Sequence, residues 1–199
     1  MSNDDRERWN ARYLADEVLA PPSPFLAGLD DVLPRHGRAL DVAGGSGRHA
    51  LWLSRRGLDV TIADVSDVAL QRASRAASDA GLSIATARVD LERAPLPAGP
   101  WDVILCVAFL HRPLFAAFPD ALAPDGWLVF EHPTRSNLLR HARPGAAHLL
   151  DDGELPTLVR GLRILRYQEG WLDRGRHEAR LVARRSAGYR PPSCAAGSP

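Results

Sequence analysis

Residues 39–64, ALDVAGGSGRHALWLSRRGLDVTIAD, set one carboxylate, Asp41, just ahead of Gly44, Gly45 and Gly47, and a second, Asp64, at the end of the next apolar run. The stretch GSGRHA fits the pattern G-x-G-x-x-G/A, in which glycines let the backbone approach a nucleotide and a carboxylate further on accepts from ribose hydroxyls. Asp41 separates the candidate ligands. A pyrophosphate brings negative charge to a helix N-terminus, and a carboxylate at the neighbouring strand end opposes it. A ligand carrying an ammonium and a sulfonium gains from Asp41, and its own carboxylate still has the helix N-terminus at Arg48 to bind.

S-adenosylmethionine (SAM) has both features and no phosphate. Asp90 extends the pattern, because it ends a third apolar stretch, where it can accept from an adenine amino group while Leu91 faces the ring edge. Ligands of open α/β sheets bind beyond the carboxyl ends of the strands, so three successive strands ending in Asp mark one site. The competing reading makes each Asp a helix cap or turn residue.

These side chains need strands and helices to hold them. ALDVA is a short strand, GRHALWLSRRG a helix stopped by Gly57, and LDVTIAD a second strand. SDVALQRASRAASDAGL reads as a helix with Ser66 as N-cap and Gly81 as its stop, and LSIATARVD as a third strand. WDVILCVAF is the near-continuous apolar strand of a buried parallel sheet, PLFAAFPDAL a Pro-started helix interrupted or ended near Pro119, and GWLVFEH strand five. Strands alternating with helices predict an α/β, doubly wound, Rossmann-like sheet. Beyond Pro133 the chain is irregular, with a short helix in DDGELPTLV. LRILRYQEGW and HEARLVARR, separated only by LDRGR, then form an antiparallel hairpin. The expected domain is 1–185, with 1–20 as an N-terminal helix and 186–199 as a disordered tail.

Composition removes whole mechanisms. All 25 basic residues are Arg, so no P-loop Lys, Schiff-base Lys or Tyr/Lys pair is available. A net charge of +1 gives no field for steering nucleic acid or coating a membrane, and no stretch resembles a signal peptide or a membrane span. Two cysteines, Cys106 and Cys194, exclude a disulfide framework and fit a cytoplasmic protein. His132, His141 and His148 lack metal-ligand spacing, so no metal is expected.

The chain resembles the class I SAM-dependent methyltransferases over nearly all of residues 8–185. LDVAGGSGRH, VTIADVSDVAL, RVDLE, WDVILCVAFLHR and LAPDGWLVFEHP match their successive segments. That resemblance implies a mostly parallel seven-stranded sheet with a C-terminal hairpin. It also implies a cofactor site of Asp41, Ala43, Gly44, Gly45, Gly47, Arg48, Asp64, Val65, Asp90, Leu91, Cys106 and Val107, with S-adenosylhomocysteine (SAH) as product. ERWNARY, PSPFL, FLHRPLF and YQEGW with ARLVARR look most like the small tellurite-resistance and thiopurine branch, which implies a small acceptor with a soft S, Se or Te nucleophile. Ala43 departs from the family pattern, standing where the first glycine of D-x-G-x-G-x-G belongs, so its methyl group bears on the methionine portion of the cofactor.

His111 and Arg112 follow strand four, where the transferred methyl group should point. His111 could take a proton or orient a nucleophile, and Arg112 could attract an anionic acceptor; alternatively, they are a helix-start residue and a solvated charge. Trp9 and Tyr13, four apart on the first helix, are either a lid over the cofactor or anchors that dock the helix. Three other functions compete: a nicotinamide-dependent oxidoreductase, an inactive SAM-binding module, and an RNA methyltransferase, which would normally show a basic face. The sequence does not fix the oligomeric state.

Overall fold

The computed structural model describes residues 3–15, 18–172, 175–186 and 188. Strands β1 (Arg38–Val42), β2 (Asp59–Asp64), β3 (Ile84–Arg88), β4 (Trp101–Val107), β5 (Leu122–Pro133), β6 (Arg163–Trp171) and β7 (His177–Arg184) form one seven-stranded sheet in the order β3-β2-β1-β4-β5-β7-β6. Neighbouring strands pair in parallel from β3 to β5, and β7 runs antiparallel to both β5 and β6. The expected Rossmann-like sheet and terminal hairpin are both present.

Helices α2 (Pro24–Ala27), α3 (Arg48–Arg55) and α4 (Asp67–Asp79) cover one face of the sheet, where Leu26, Leu53, Ala73, Leu105 and Val129 pack together. A 3-10 turn at Arg112–Ala116, α5 (Phe118–Ala121) and α6 (Leu155–Leu158) cover the other, around Phe115, Phe118 and Phe130. β1 shows why both faces are needed. Its side chains alternate, with Ala39 on one core and Leu40 and Val42 in the other, and all three are inaccessible to solvent. Each large apolar side chain buried in this way contributes about 1.5–3 kcal/mol.

Local signals fix the two helices that frame the site. α4 starts at Ser66, whose hydroxyl accepts from the Ala69 amide at 3.1 Å, and the chain leaves it through Gly81 at φ +67°. α3 starts directly from Gly47 at φ +85°. PLFAAFPDAL is interrupted beside Pro119 as expected and forms two short pieces, because Pro119 has no amide with which to extend the 3-10 turn into a longer helix. The first helix, α1 (Asn3–Ala15), lies within the expected 1–20. Apart from Ser186 and Gly188, the tail at 186–199 lies outside the described residues.

Candidate functional site

The glycine turn leaves β1 with Asp41 behind it. Asp41 is 1% exposed, and neither carboxylate oxygen makes a well-formed hydrogen bond with any described residue. Burial, followed by the charge of Asp64, pushes its carboxyl up to about 7, against the pull of the Arg48 guanidinium and the Ala50 amide. Each glycine has its own steric reason. A β-carbon at Gly44 would lie 2.6 Å from the Asp41 carboxylate, one at Gly45 would lie 2.3 Å from the Tyr13 hydroxyl, and one at Gly47 would lie 2.9 Å from the β-carbon of Ala73. Ala43 adopts φ +53°, the left-handed region where a glycine would be free of Cβ strain.

Asp64, 6% exposed, ties the loop to the second strand. It accepts from the Gly45 amide and from the Ser66 amide, both at 2.9 Å. Burial raises its carboxyl despite these bonds and the favourable Val65 amide. A carboxylate has about four lone-pair sites, so acceptor capacity remains for a ribose hydroxyl. Val89 donates to the Asp64 carbonyl at 2.9 Å, which brings the end of β3 alongside. Asp90 then opens a turn, accepting from the Glu92 amide at 3.1 Å, and Leu91 turns into the core at 4% exposure.

On the other side of the loop, Val42 pairs with Cys106, and Val107 begins the exit from β4. Burial, with Asp41 beside it, pushes the Cys106 thiol up, so it stays protonated; Sγ lies 3.4 Å from the Phe109 carbonyl. Asp41, Ala43, the glycines, Arg48, Asp64, Val65, Cys106 and Val107 therefore share one end of the sheet.

α1 lies on this end. Asn10 Oδ1 accepts from the Ser66 hydroxyl at 2.6 Å, Arg72 donates to the Tyr13 carbonyl, and the Tyr13 hydroxyl rests on Gly45. Trp9 stacks on Tyr13 with ring centroids 5.9 Å apart. His111 is half-buried and precedes the 3-10 turn, while Arg112 is held by both Glu154 oxygens at 2.6 and 2.7 Å and by the Leu149 carbonyl at 3.1 Å. An anionic acceptor would have to compete with Glu154 for that guanidinium.

Sequence reasoning passed over one buried group. Glu131, Glu178 and Arg180, all under 5% exposed, lie where β5 and β7 meet, beside the end of β4. The signal was available, since Glu131 sits near the end of an apolar strand just as the three Asp residues do, and HEARLVARR places charges at alternate positions on a strand.

The residues present fit SAM. Asp41 is a buried carboxyl that makes no well-formed hydrogen bond with any described residue and suits an ammonium, the glycines keep added side chains from its surroundings, and Asp64 retains acceptor capacity next to the loop. Comparison with known proteins agrees. Residues 39–126 match the methyltransferase domain family. An uncharacterised protein of Mycobacterium bovis is 33% identical over 111 residues, which are 55% of this chain and 40% of that protein. The glycine/sarcosine N-methyltransferase of Halorhodospira halochloris is 32% identical over 114 residues, 52% of this chain and 42% of that enzyme. The chain thus spans about two fifths of the length of these curated relatives. In fold it is similar to TehB from Haemophilus influenzae (TM-score 0.69, 19% identity, 91% of this chain and 67% of that one). It is also similar to the SAH-bound magnesium protoporphyrin IX methyltransferase of Synechocystis (TM-score 0.68, 16% identity, 92% and 99%). Among the described residues no helix is long and apolar enough to cross a membrane. Residues 39–126 thus carry the likeness to the methyltransferase domain family, and the fold of the chain is similar to that of solved methyltransferases.

Proposed function

We propose that this protein transfers the methyl group of SAM to a small-molecule acceptor. The observation that carries this reading is the buried carboxyl of Asp41, which makes no well-formed hydrogen bond with any described residue and is set against the glycine turn. Bound there, SAM supplies an electrophilic methyl on a sulfonium, and the protein's share is alignment, exclusion of water and, for a hard nucleophile, a base. In this reading Asp41 holds the ammonium, Asp64 the ribose hydroxyls and Asp90 with Leu91 the adenine. Tyr13 and Trp9 form part of a lid, and Cys106 and Val107 line the path to the acceptor. Calorimetry with SAH and with NADH tests it. SAH binding without NADH binding supports it, NADH binding alone supports an oxidoreductase, and SAH binding without any transfer leaves an inactive module.

Two acceptor classes follow from different observations. The resemblance at FLHRPLF implies a thiol, selenol or tellurium oxyanion beside His111 and Arg112, and such soft nucleophiles attack a sulfonium carbon with little help from a base. The buried carboxyls of Glu131 and Glu178, and the kinship with an enzyme named for methylating glycine and sarcosine, favour an amine. A screen of thiols, selenite, tellurite, phenols and amines separates the two classes. We place the protein in the cytoplasm, acting without nucleic acid or metal.

A further inference from the structure

The guanidinium that follows β4 is neutralised in place. Arg112 meets Glu154 edge-on, Nε donating to Oε1 at 2.6 Å and Nη2 to Oε2 at 2.7 Å, and Nη2 also donates to the Leu149 carbonyl at 3.1 Å. Nε with Nη2 is the edge of a guanidinium that grips a carboxylate through two parallel bonds, so that edge is taken. Glu154 is fixed in turn, since its Oε2 accepts from the Asp151 amide at 2.8 Å. The bond from Arg112 holds the Glu154 carboxyl below its usual range, so both partners stay charged.

The pair stands where two strand ends meet. Arg112 comes shortly after Val107, the last residue of β4, and its charge reaches His132 near the end of β5. Leu149, whose carbonyl Arg112 also grips, precedes Leu150, and Leu150 bridges to Thr134 directly after β5. Ligands of open α/β sheets bind beyond such ends. A second ion pair, Arg135 with Asp151, lies within electrostatic reach of the first, and the two pairs together carry no net charge.

Resting on the methyl-transfer reading, with the acceptor beside Arg112, we infer that Glu154 is a specificity-determining residue: it cancels the charge of Arg112, so that small acceptors without a carboxylate or oxyanion are preferred to those that carry one. An arginine without such a partner would attract anions and repel cations through the same field. Here an incoming anion gains a grip on Arg112 only by displacing Glu154, and one of the two carboxylates is then left without its guanidinium. An uncharged or cationic acceptor is spared that exchange. The Arg112 side chain is 40% exposed and that of Glu154 16%, so solvent reaches the pair and salt weakens its influence.

Two matched pairs of acceptors test this assignment: 2-mercaptoethanol with 3-mercaptopropionate, and ethanolamine with β-alanine. Each pair shares a nucleophile and sets a hydroxyl against a carboxylate. The readout is the ratio of kcat/KM for the carboxylate compound over the hydroxyl compound, in which a general loss of fold or of cofactor affinity cancels. Wild type should show a ratio below one. Glu154→Gln should raise the ratio by about fivefold at low salt, and the gain should shrink toward about twofold in about 0.5 M NaCl. Arg112→Gln leaves Glu154 uncompensated and should lower the ratio by a similar factor, so it carries the test alone if Glu154→Gln fails to fold. The double variant should return to within about twofold of wild type. A ratio that moves in neither single variant, or in the same direction in both, overturns the assignment. So does a wild type that prefers the carboxylate compounds, or one that binds SAH and methylates none of the four. A wild-type protein that binds no SAH removes the transfer reading itself.

Discussion

Replacing Asp41 by Asn should stabilise the ligand-free protein above pH 7 while weakening its hold on the cofactor. A carboxyl moved by burial from 3.8 to about 7 prefers its protonated form in the folded state. Its stabilising effect is therefore full below about pH 4 and is lost as pH rises through about 7. At pH 8 the ionised Asp41 costs on the order of 4 kcal/mol relative to a neutral group, since each pKa unit corresponds to about 1.4 kcal/mol. An unpartnered Asn amide carries its own burial cost of about 1–3 kcal/mol, but that term does not change with pH. The diagnostic is therefore the difference in Tm between variant and wild type, which should widen by about 10 °C from pH 4 to pH 8 in a chain of this size. Cofactor binding reports the same group from the other side. At pH 6 an ammonium must ionise Asp41, so SAH binding to wild type should release close to one proton, read by calorimetry in buffers of different ionisation enthalpy. At pH 8.5 the release should vanish. Asp41→Asn should release none at either pH and bind about tenfold or more weakly. A Tm difference independent of pH, or proton release that survives the substitution, would show that Asp41 neither titrates in this range nor meets the ammonium.

Ala43→Gly removes a side chain from a left-handed position, and it should raise Tm by about 1–3 °C and tighten SAH binding; a lower Tm would mean that the methyl packs better than it strains. Asp64→Ala, measured by calorimetry on a protein whose fold is checked by circular dichroism, should weaken SAH binding tenfold or more; an unchanged Kd removes the ribose assignment. Arg112→Ala breaks the pair with Glu154, so Tm should fall by about 2–4 °C. If Arg112 also attracts acceptors, its loss should raise KM for selenite or tellurite and leave neutral acceptors unaffected; equal effects on both would make the residue structural.

Much of the sheet was legible because its strands are short apolar runs closed by Asp, Gly or Pro. The hairpin of β6 and β7 followed from two alternating runs joined by five residues. The helix caps at Ser66 and Gly81 were equally plain, since a hydroxyl that accepts an orphan amide and a residue free to take positive φ are properties of residue type. The Asp cluster could be read because position at a strand end is set by the chain itself. The Glu131–Arg180–Glu178 group is different, because it depends on β7 inserting beside β5, and only that pairing sets Arg180 across from Glu131. The pairing of Arg112 with Glu154 was likewise hidden, as 42 residues and the irregular stretch after β5 separate the partners.

The attachment of α1 carries a consequence for motion. Its grip on the domain includes Asn10 on Ser66, Arg6 3.8 Å from Asp67, the Arg72–Tyr13 bond and the Tyr13 ring over Gly45, while Leu14 is 72% exposed. A helix held mainly by polar contacts can detach while the sheet stays folded, so its amides should exchange with deuterium through local opening long before those of β1 or β4. A cofactor lodged between the glycine turn and Tyr13 would oppose that opening through mass action, by about 2.7 kcal/mol at a concentration one hundred times its Kd. Exchange across residues 5–13 should then slow by about a hundredfold, and α1 becomes a gauge of cofactor occupancy that works with no methyl acceptor in hand.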